Sequence, residues 1–378
     1  MKTLLINLSN IKTGGALQVA SSFLEELITS QQSLDFFDTT ILVSNSVSNL
    51  SVAKELFKSS KFKILENENN FFKQFSIKYI KFISSFDVVF NLFGPHFYCF
   101  KHKRQYVISG FAQAWILFPY NETYQEFGFI KKRFYTLKYK ILNFYFSISD
   151  SFVVEHENIK EELQKIYPNK PIHIATNSIN QVFVLNQNPI KKKLKKSNDI
   201  FKIGVIGDNY PHKNLKILTD LSKELKSRNI NFEFILTLTD NDFKSYKFNN
   251  IKEFHNLGKL SIEDCFDFYN SIDIVFFPSN LECFSATILE SLYMGKPLIC
   301  SDYIFNRAIA NEYACYFEPN SIISAANLIE NVMVNYESIV SSHKISEARE
   351  LVLDSFNFST RFNSYFKILK NIYESTSN

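Results

Sequence analysis

No C-x-x-C pair occurs in this sequence. Its five cysteines, Cys99, Cys265, Cys283, Cys300 and Cys315, are scattered and odd in number. That argues against a disulfide framework and for reduced thiols in a cytoplasmic protein. Also missing is any apolar run long enough to span a bilayer. The opening MKTLLINLSNIKTGG has neither a long apolar core nor a small-residue cleavage site, so no secretory signal is expected. Charge of one sign is scarce. The net value is +4 over 378 residues, too weak to imply nucleic acid, although it suits anionic ligands or an anionic membrane surface. No G-x-G-x-x-G opens a helix, which disfavours a nicotinamide dehydrogenase.

What is plentiful is aromatic. Forty phenylalanines and 19 tyrosines point to a large aromatic core. Hydrophobic residues make up 46% and charged residues 21%, the balance of a soluble globular protein. The length favours two domains over one.

Short apolar runs alternate with helix-patterned stretches. Residues 3–10, 39–45, 86–94, 105–112, 144–149 and 171–178 read as strands. Residues 16–30 place Leu17, Ala20, Phe23, Leu24 and Leu27 on one helical face. NQNPIKKKLKKSND (186–199) then breaks the pattern as a lysine-rich, solvated linker. Beyond it the alternation restarts, with strands at 201–208, 232–239, 273–279 and 296–302 and a helix at 214–228. The expected fold is α/β: two Rossmann-like halves with parallel sheets, residues 1–185 and 200–355, the last helix (356–378) joining the first half. Ligands of such sheets sit at the carboxyl ends of the strands. The cleft between the two domains is the expected site.

Three stretches carry candidate chemistry. In PSNLECFSATILESLYMGKPLICSD, Glu282 falls in the loop after a strand. Glu290 falls in the helix that begins near Ser285 to Thr287 and ends before Gly295. Alone, Thr287-Ile-Leu-Glu290 reads as a capping box and Glu282 as a solvated loop charge. In GVIGDNYPHKN (204–214), His212 and Lys213 stand between a strand end and a helix start, where phosphate binds well. In the first half, Thr13-Gly14-Gly15 opens a helix, and two glycines allow a close backbone approach to a ligand.

With these residues in place, the chain resembles glycosyltransferase family 4, the retaining nucleotide-sugar transferases of GT-B fold. The stretch from Pro278 to Asp302 is similar to the family's E-x7-E region. IGDNYPHKNLKIL looks like its Gly-Arg-x-x-x-x-Lys turn, with Gly207 and Lys213 at the right spacing. FHNLGKLSIEDCFDFYNSIDIVFFPS (254–279) and the terminal FNFSTRFNSYFKILKNIY (356–373) extend the likeness over nearly the whole chain. The resemblance implies that Glu282 lies beside the transferred sugar, Glu290 holds the nucleotide ribose while also capping, and Lys213 neutralises the diphosphate. It implies that backbone N–H groups of Phe284, Ser285, Ala286 and Thr287 bind phosphate and sugar, that Leu257 and Gly258 border the base, and that Gly14 and Gly15 approach the diphosphate. YPHKN and GFAQAW look like a subgroup serving bacterial surface polysaccharides, such as O-antigen or capsule.

The departures are specific. Asp208 replaces the family's arginine, so one phosphate-neutralising charge is either missing or supplied elsewhere, with His212 the candidate. Cys283 and Ser285 replace two glycines. A histidine common on an N-terminal strand is absent, and His96 is a candidate substitute, or a surface loop histidine. The implied reaction moves a hexose-type sugar from a nucleotide-diphosphate sugar to a saccharide or lipid-linked saccharide, with no cofactor and no metal. Three other readings compete. Asp240-Asn-Asp242 has the spacing of a metal-dependent transferase; an epimerase can share the architecture; a binding partner could carry a decayed site. The linker and IKKRFYTLKYK (130–140) allow peripheral contact with an anionic membrane.

Overall fold

The structure, a computed structural model, describes residues 1–12, 14–30, 33–58, 62–67, 76–95, 97, 101–186 and 199–377. Thr13, His96, Cys99 and residues 187–198 of the lysine-rich stretch lie outside them.

Contacts divide the chain into two units. The first holds residues 1–120, 127–180 and 357–378; the second holds 121–126 and 181–356. The second unit therefore begins at Gln181, ahead of the lysine-rich stretch, because Phe183 is fully buried among Phe266, Tyr269 and Tyr293. The short segment 121–126 joins it through Glu122, whose Oε2 accepts from Tyr303 and Asn320, and through Glu126, 2.5 Å from Lys216.

The first unit is a seven-stranded parallel sheet. Its strands are β1 (Lys2–Leu8), β2 (Phe37–Ser44), β3 (Lys63–Asn67), β4 (Val88–Asn91), β5 (Tyr106–Gly110), β6 (Ser151–Val154) and β7 (Ile172–Ile174), in the order β3-β2-β1-β4-β5-β6-β7. Helices on both faces explain the continuous apolar runs: Leu4, Leu5, Ile6 and Leu8 are all fully buried. The helix Gly15–Thr29 sets Phe23 against Phe90, Phe362 and Tyr365. The last two belong to the C-terminal helix Phe358–Ser377, which packs back on this unit as expected. Arg361 of that helix is buried, donating to Asn177 Oδ1 at 2.8 Å and to Ser22 Oγ.

One expected strand is absent. Residues 144–147 form the end of a helix, Phe129–Ser147, and the strand is β6 beyond it. A short apolar run reads equally as strand or helix. Here Phe146 is buried against Phe111 and Phe152, whereas Phe144 is exposed, a one-faced pattern of helical period.

The second unit is a six-stranded parallel sheet: β8 (Phe201–Val205), β9 (Phe232–Leu236), β10 (Phe254–Asn256), β11 (Ile274–Phe277), β12 (Leu298–Ser301) and β13 (Ala314–Phe317). Its order is β10-β9-β8-β11-β12-β13. The strand order reverses between β8 and β11, so the loops leaving those two strands diverge to opposite faces and leave a crevice at their carboxyl ends.

Candidate active site

Both loops at that crossover carry the sequence candidates. After β8 the chain passes Gly207, at φ +149, and a single 3-10 turn, Pro211–Lys213, before the helix Ile217–Ser227. The aliphatic stem of Lys213 crosses Gly207, with Cδ and Cε 3.9 Å from where a Cβ would stand. After β11 the chain passes Ser279, Asn280 and Glu282 before the helix Ala286–Tyr293.

The two loops are tied together. Lys213 Nζ lies 2.5 Å from Glu282 Oε1. Ser279 Oγ donates to the same carboxylate oxygen at 2.7 Å. The Asn280 N–H donates to the His212 carbonyl at 2.7 Å. Below them stands a layer the sequence reading missed. Asn214 and Asn280 both donate to Asn320 Oδ1, at 2.9 and 3.1 Å. Asn214 and Asn320 have positive φ, 53° and 61°, which asparagine tolerates better than most residues. The three asparagines stand 66 and 40 residues apart, so no local pattern signalled the layer.

Glu290 corrects an expectation. The helix starts at Ala286 with Ser285 as N-cap, so Thr287 is already inside it and no Thr287–Glu290 capping box forms. Glu290 stands more than one turn in, 3% exposed, with Oε2 accepting from the Tyr269 hydroxyl at 2.8 Å. Burial, and then the Glu290 charge, keep the Tyr269 phenol protonated well above its ordinary range. The Ser285 side chain makes no capping hydrogen bond, and the first turn of this helix holds no acid. Its leading N–H groups and positive dipole end are therefore suited to an anion. Phe284 is half-buried and packs against Phe356; Cys283 and Ser285 are buried.

His212 does not supply the charge that Asp208 lacks. Desolvation pulls its imidazole down to about 4, against a smaller opposing pull from Glu282. It is neutral at pH 7 and stacks on Tyr210, rings 5.6 Å apart at 8°. The cation near Asp208 is instead Lys259, at 2.8 Å, whose own pKa is raised chiefly by that hydrogen bond. Lys259 directly follows Leu257 and Gly258. Leu257 is exposed, and Gly258 turns the chain at φ +77 with open space beside it. Asp242 is held below the usual carboxylate range by donations from Thr239 and then Asn209, and Asp240 accepts from Asn256 at 3.3 Å. Among the described residues no group of three or more His, Cys, Asp or Glu is placed to hold a metal.

In the first unit, Gly14 is the N-cap of the helix Gly15–Thr29. Its φ is +68, and open space surrounds both glycines. That helix start also lacks a side-chain cap and an acid in its first turn.

Comparison with known proteins follows the same division. Residues 186–350 match the family model "Glycosyl transferases group 1". No curated protein matches the sequence. Solved structures are similar over nearly the whole chain. A glycosyltransferase from Rickettsia africae aligns with TM-score 0.65 at 16% identity, covering 100% of this chain and 99% of its own. Anabaena Alr3699/HepE, solved with UDP and glucose, aligns at 0.66 and 12%, covering 98% and 100%. WaaG, a glycosyltransferase involved in lipopolysaccharide biosynthesis, aligns at 0.68 and 12%, covering 97% and 99%. The chain thus has the GT-B fold, and its residues 186–350 carry the likeness to the group 1 glycosyl transferases.

Proposed function

We propose that this protein is a retaining, metal-independent glycosyltransferase. It moves a hexose-type sugar from a nucleotide-diphosphate sugar to a saccharide or lipid-linked saccharide in bacterial surface polysaccharide synthesis. The observation that carries the reading is the Lys213–Glu282 pair at the β8/β11 crossover, beside a helix start whose N-cap residue, Ser285, makes no side-chain hydrogen bond. The likeness to HepE, solved with UDP and glucose, and to WaaG, involved in lipopolysaccharide biosynthesis, supports it.

In that reading the Lys213 ammonium and the N–H groups at the start of Ala286–Tyr293 meet the diphosphate. Charge grows on the diphosphate as the bond from the sugar's anomeric carbon to phosphate oxygen breaks. Stabilising it there is the largest expected catalytic contribution. The acceptor hydroxyl forms the new bond from the same face and gives its proton to the departing phosphate oxygen. Glu282, its Oε1 held by Ser279, contacts the sugar hydroxyls and orients the ring rather than forming a bond to it. Glu290, fixed by Tyr269, takes the ribose. Leu257 and Gly258 border the base.

The test is nucleoside diphosphate release from UDP-, GDP-, dTDP- and ADP-sugars in the presence of a chelator. Release from one donor is expected, with Lys213→Ala reducing kcat/KM by about 10²–10³. Binding of no donor by the wild-type protein overturns the reading. A donor rearranged without transfer would identify an epimerase instead.

A further inference from the structure

The helix Phe129–Ser147 is held chiefly by one face, with Tyr145 near its end also packing on Phe97 at 5.5 Å between rings. Tyr135 and Tyr139 pack on Trp115, at 5.0 and 5.8 Å between rings, and Phe146 on Phe111 at 4.7 Å. The opposite face is apolar and bare. Ile130 is 84% exposed, Phe134 63%, Leu137 61%, Ile141 50% and Phe144 56%. At 3.6 residues per turn these five side chains form a stripe about 80° wide, set roughly opposite the packed face. Its two edges are both basic. Lys131 and Lys138 flank one side, and Arg133 and Lys140 the other; all four are exposed. No carboxylate occurs anywhere in this helix.

We propose that this helix seats the protein on an anionic bilayer, lying in the plane of the membrane surface with the stripe facing the acyl chains. Among the described residues no helix is long and apolar enough to cross a membrane, so the contact is one of lying on the surface. Basic residues along both edges of an apolar stripe are the arrangement that lets the stripe enter the headgroup boundary while the cationic heads reach lipid phosphates.

A second copy of the chain is the rival occupant, because the stripe spacing of four, three, four, three is also that of a coiled-coil seam. The edges decide against it. In a paired seam those edge positions face each other, and here every one of the four is a cation. Pairing two copies sets like charges together in either orientation, whereas an anionic lipid surface supplies the missing negative charge. The inference stands on the helix alone and does not depend on the glycosyl-transfer reading.

The test is flotation of the full-length protein with phosphatidylcholine vesicles, with and without phosphatidylglycerol, alongside the mass in solution by light scattering. Binding is expected to the anionic vesicles and to weaken with salt. Phe134→Gln with Leu137→Gln is expected to weaken it at least about tenfold, since each removes an apolar side chain that binding would bury in the bilayer. Lys131→Gln, Arg133→Gln, Lys138→Gln and Lys140→Gln together are expected to weaken it about five hundredfold, at roughly fivefold per cation. All six positions are exposed, so unchanged circular dichroism and melting checks the fold. Equal binding to both vesicle types, or binding unaffected by either variant, overturns the proposal. So does a dimer that the Phe134→Gln, Leu137→Gln variant dissociates, which would assign the stripe to self-association.

Discussion

At position 212 an imidazole sits half-buried between two charged neighbours, and its environment is measurable in solution. Desolvation lowers it from 6.5 to about 4, so the folded protein binds this proton less readily than the unfolded chain. Stability from this group is therefore complete above pH 6.5 and lost as pH falls towards 4, of the order of 3 kcal/mol at the acid end. His212→Asn is expected to flatten the pH dependence of the urea midpoint within that window and to change little at pH 8. A slope as steep as wild type's between those values would contradict the assigned environment. At Glu290 a local four-residue pattern suggested a cap, while one of its contacts, Tyr269, is 21 residues away in sequence. No short window contains both.

Within strand β5, Gly110 shows a constraint of another kind. A Cβ there would stand 1.8 Å from the Leu92 carbonyl oxygen, which is backbone and cannot rotate aside. Gly110→Ala is expected to cost about 3 kcal/mol or more, or to prevent folding, while Gly128→Ala, with open space around it, stays within about 1 kcal/mol. Thermal melts of the two variants provide the comparison. The strand itself was legible at 105–112, because buried parallel strands write themselves as apolar runs. The need for glycine was not, since it comes from Leu92, just past the end of the neighbouring strand β4. The run at 144–149 failed for a related reason. Its length and composition suited either element, and the packing of Phe146 on Phe111 and Phe152 selected a helix.

For the molecule as a whole, the chain's last helix completes its first unit. Phe362 and Tyr365 cover Phe23, Tyr373 packs on Phe36 and Phe37, and Arg361 is buried beneath them. Removing residues 357–378 is expected to uncover this aromatic cluster, lower the melting of the first unit and leave that of the second near its original temperature. Calorimetry would then show two separated transitions. A single transition at the wild-type temperature would mean that the helix contributes little to the core.

By itself the sequence determined two parallel sheets, because apolar runs alternating with amphipathic helices are local patterns that each segment carries alone. It also determined that a lysine and a glutamate stand in loops at strand ends. Tertiary structure decided that they meet. Lys213 and Glu282 are 69 residues apart and come within 2.5 Å only because β8 and β11 are adjacent in the sheet. The same adjacency joins Asn214 and Asn280 to Asn320, and the turn after β10 returns Lys259 to Asp208. Such contacts depend on strand order and side-chain direction, which hydrophobic period does not encode.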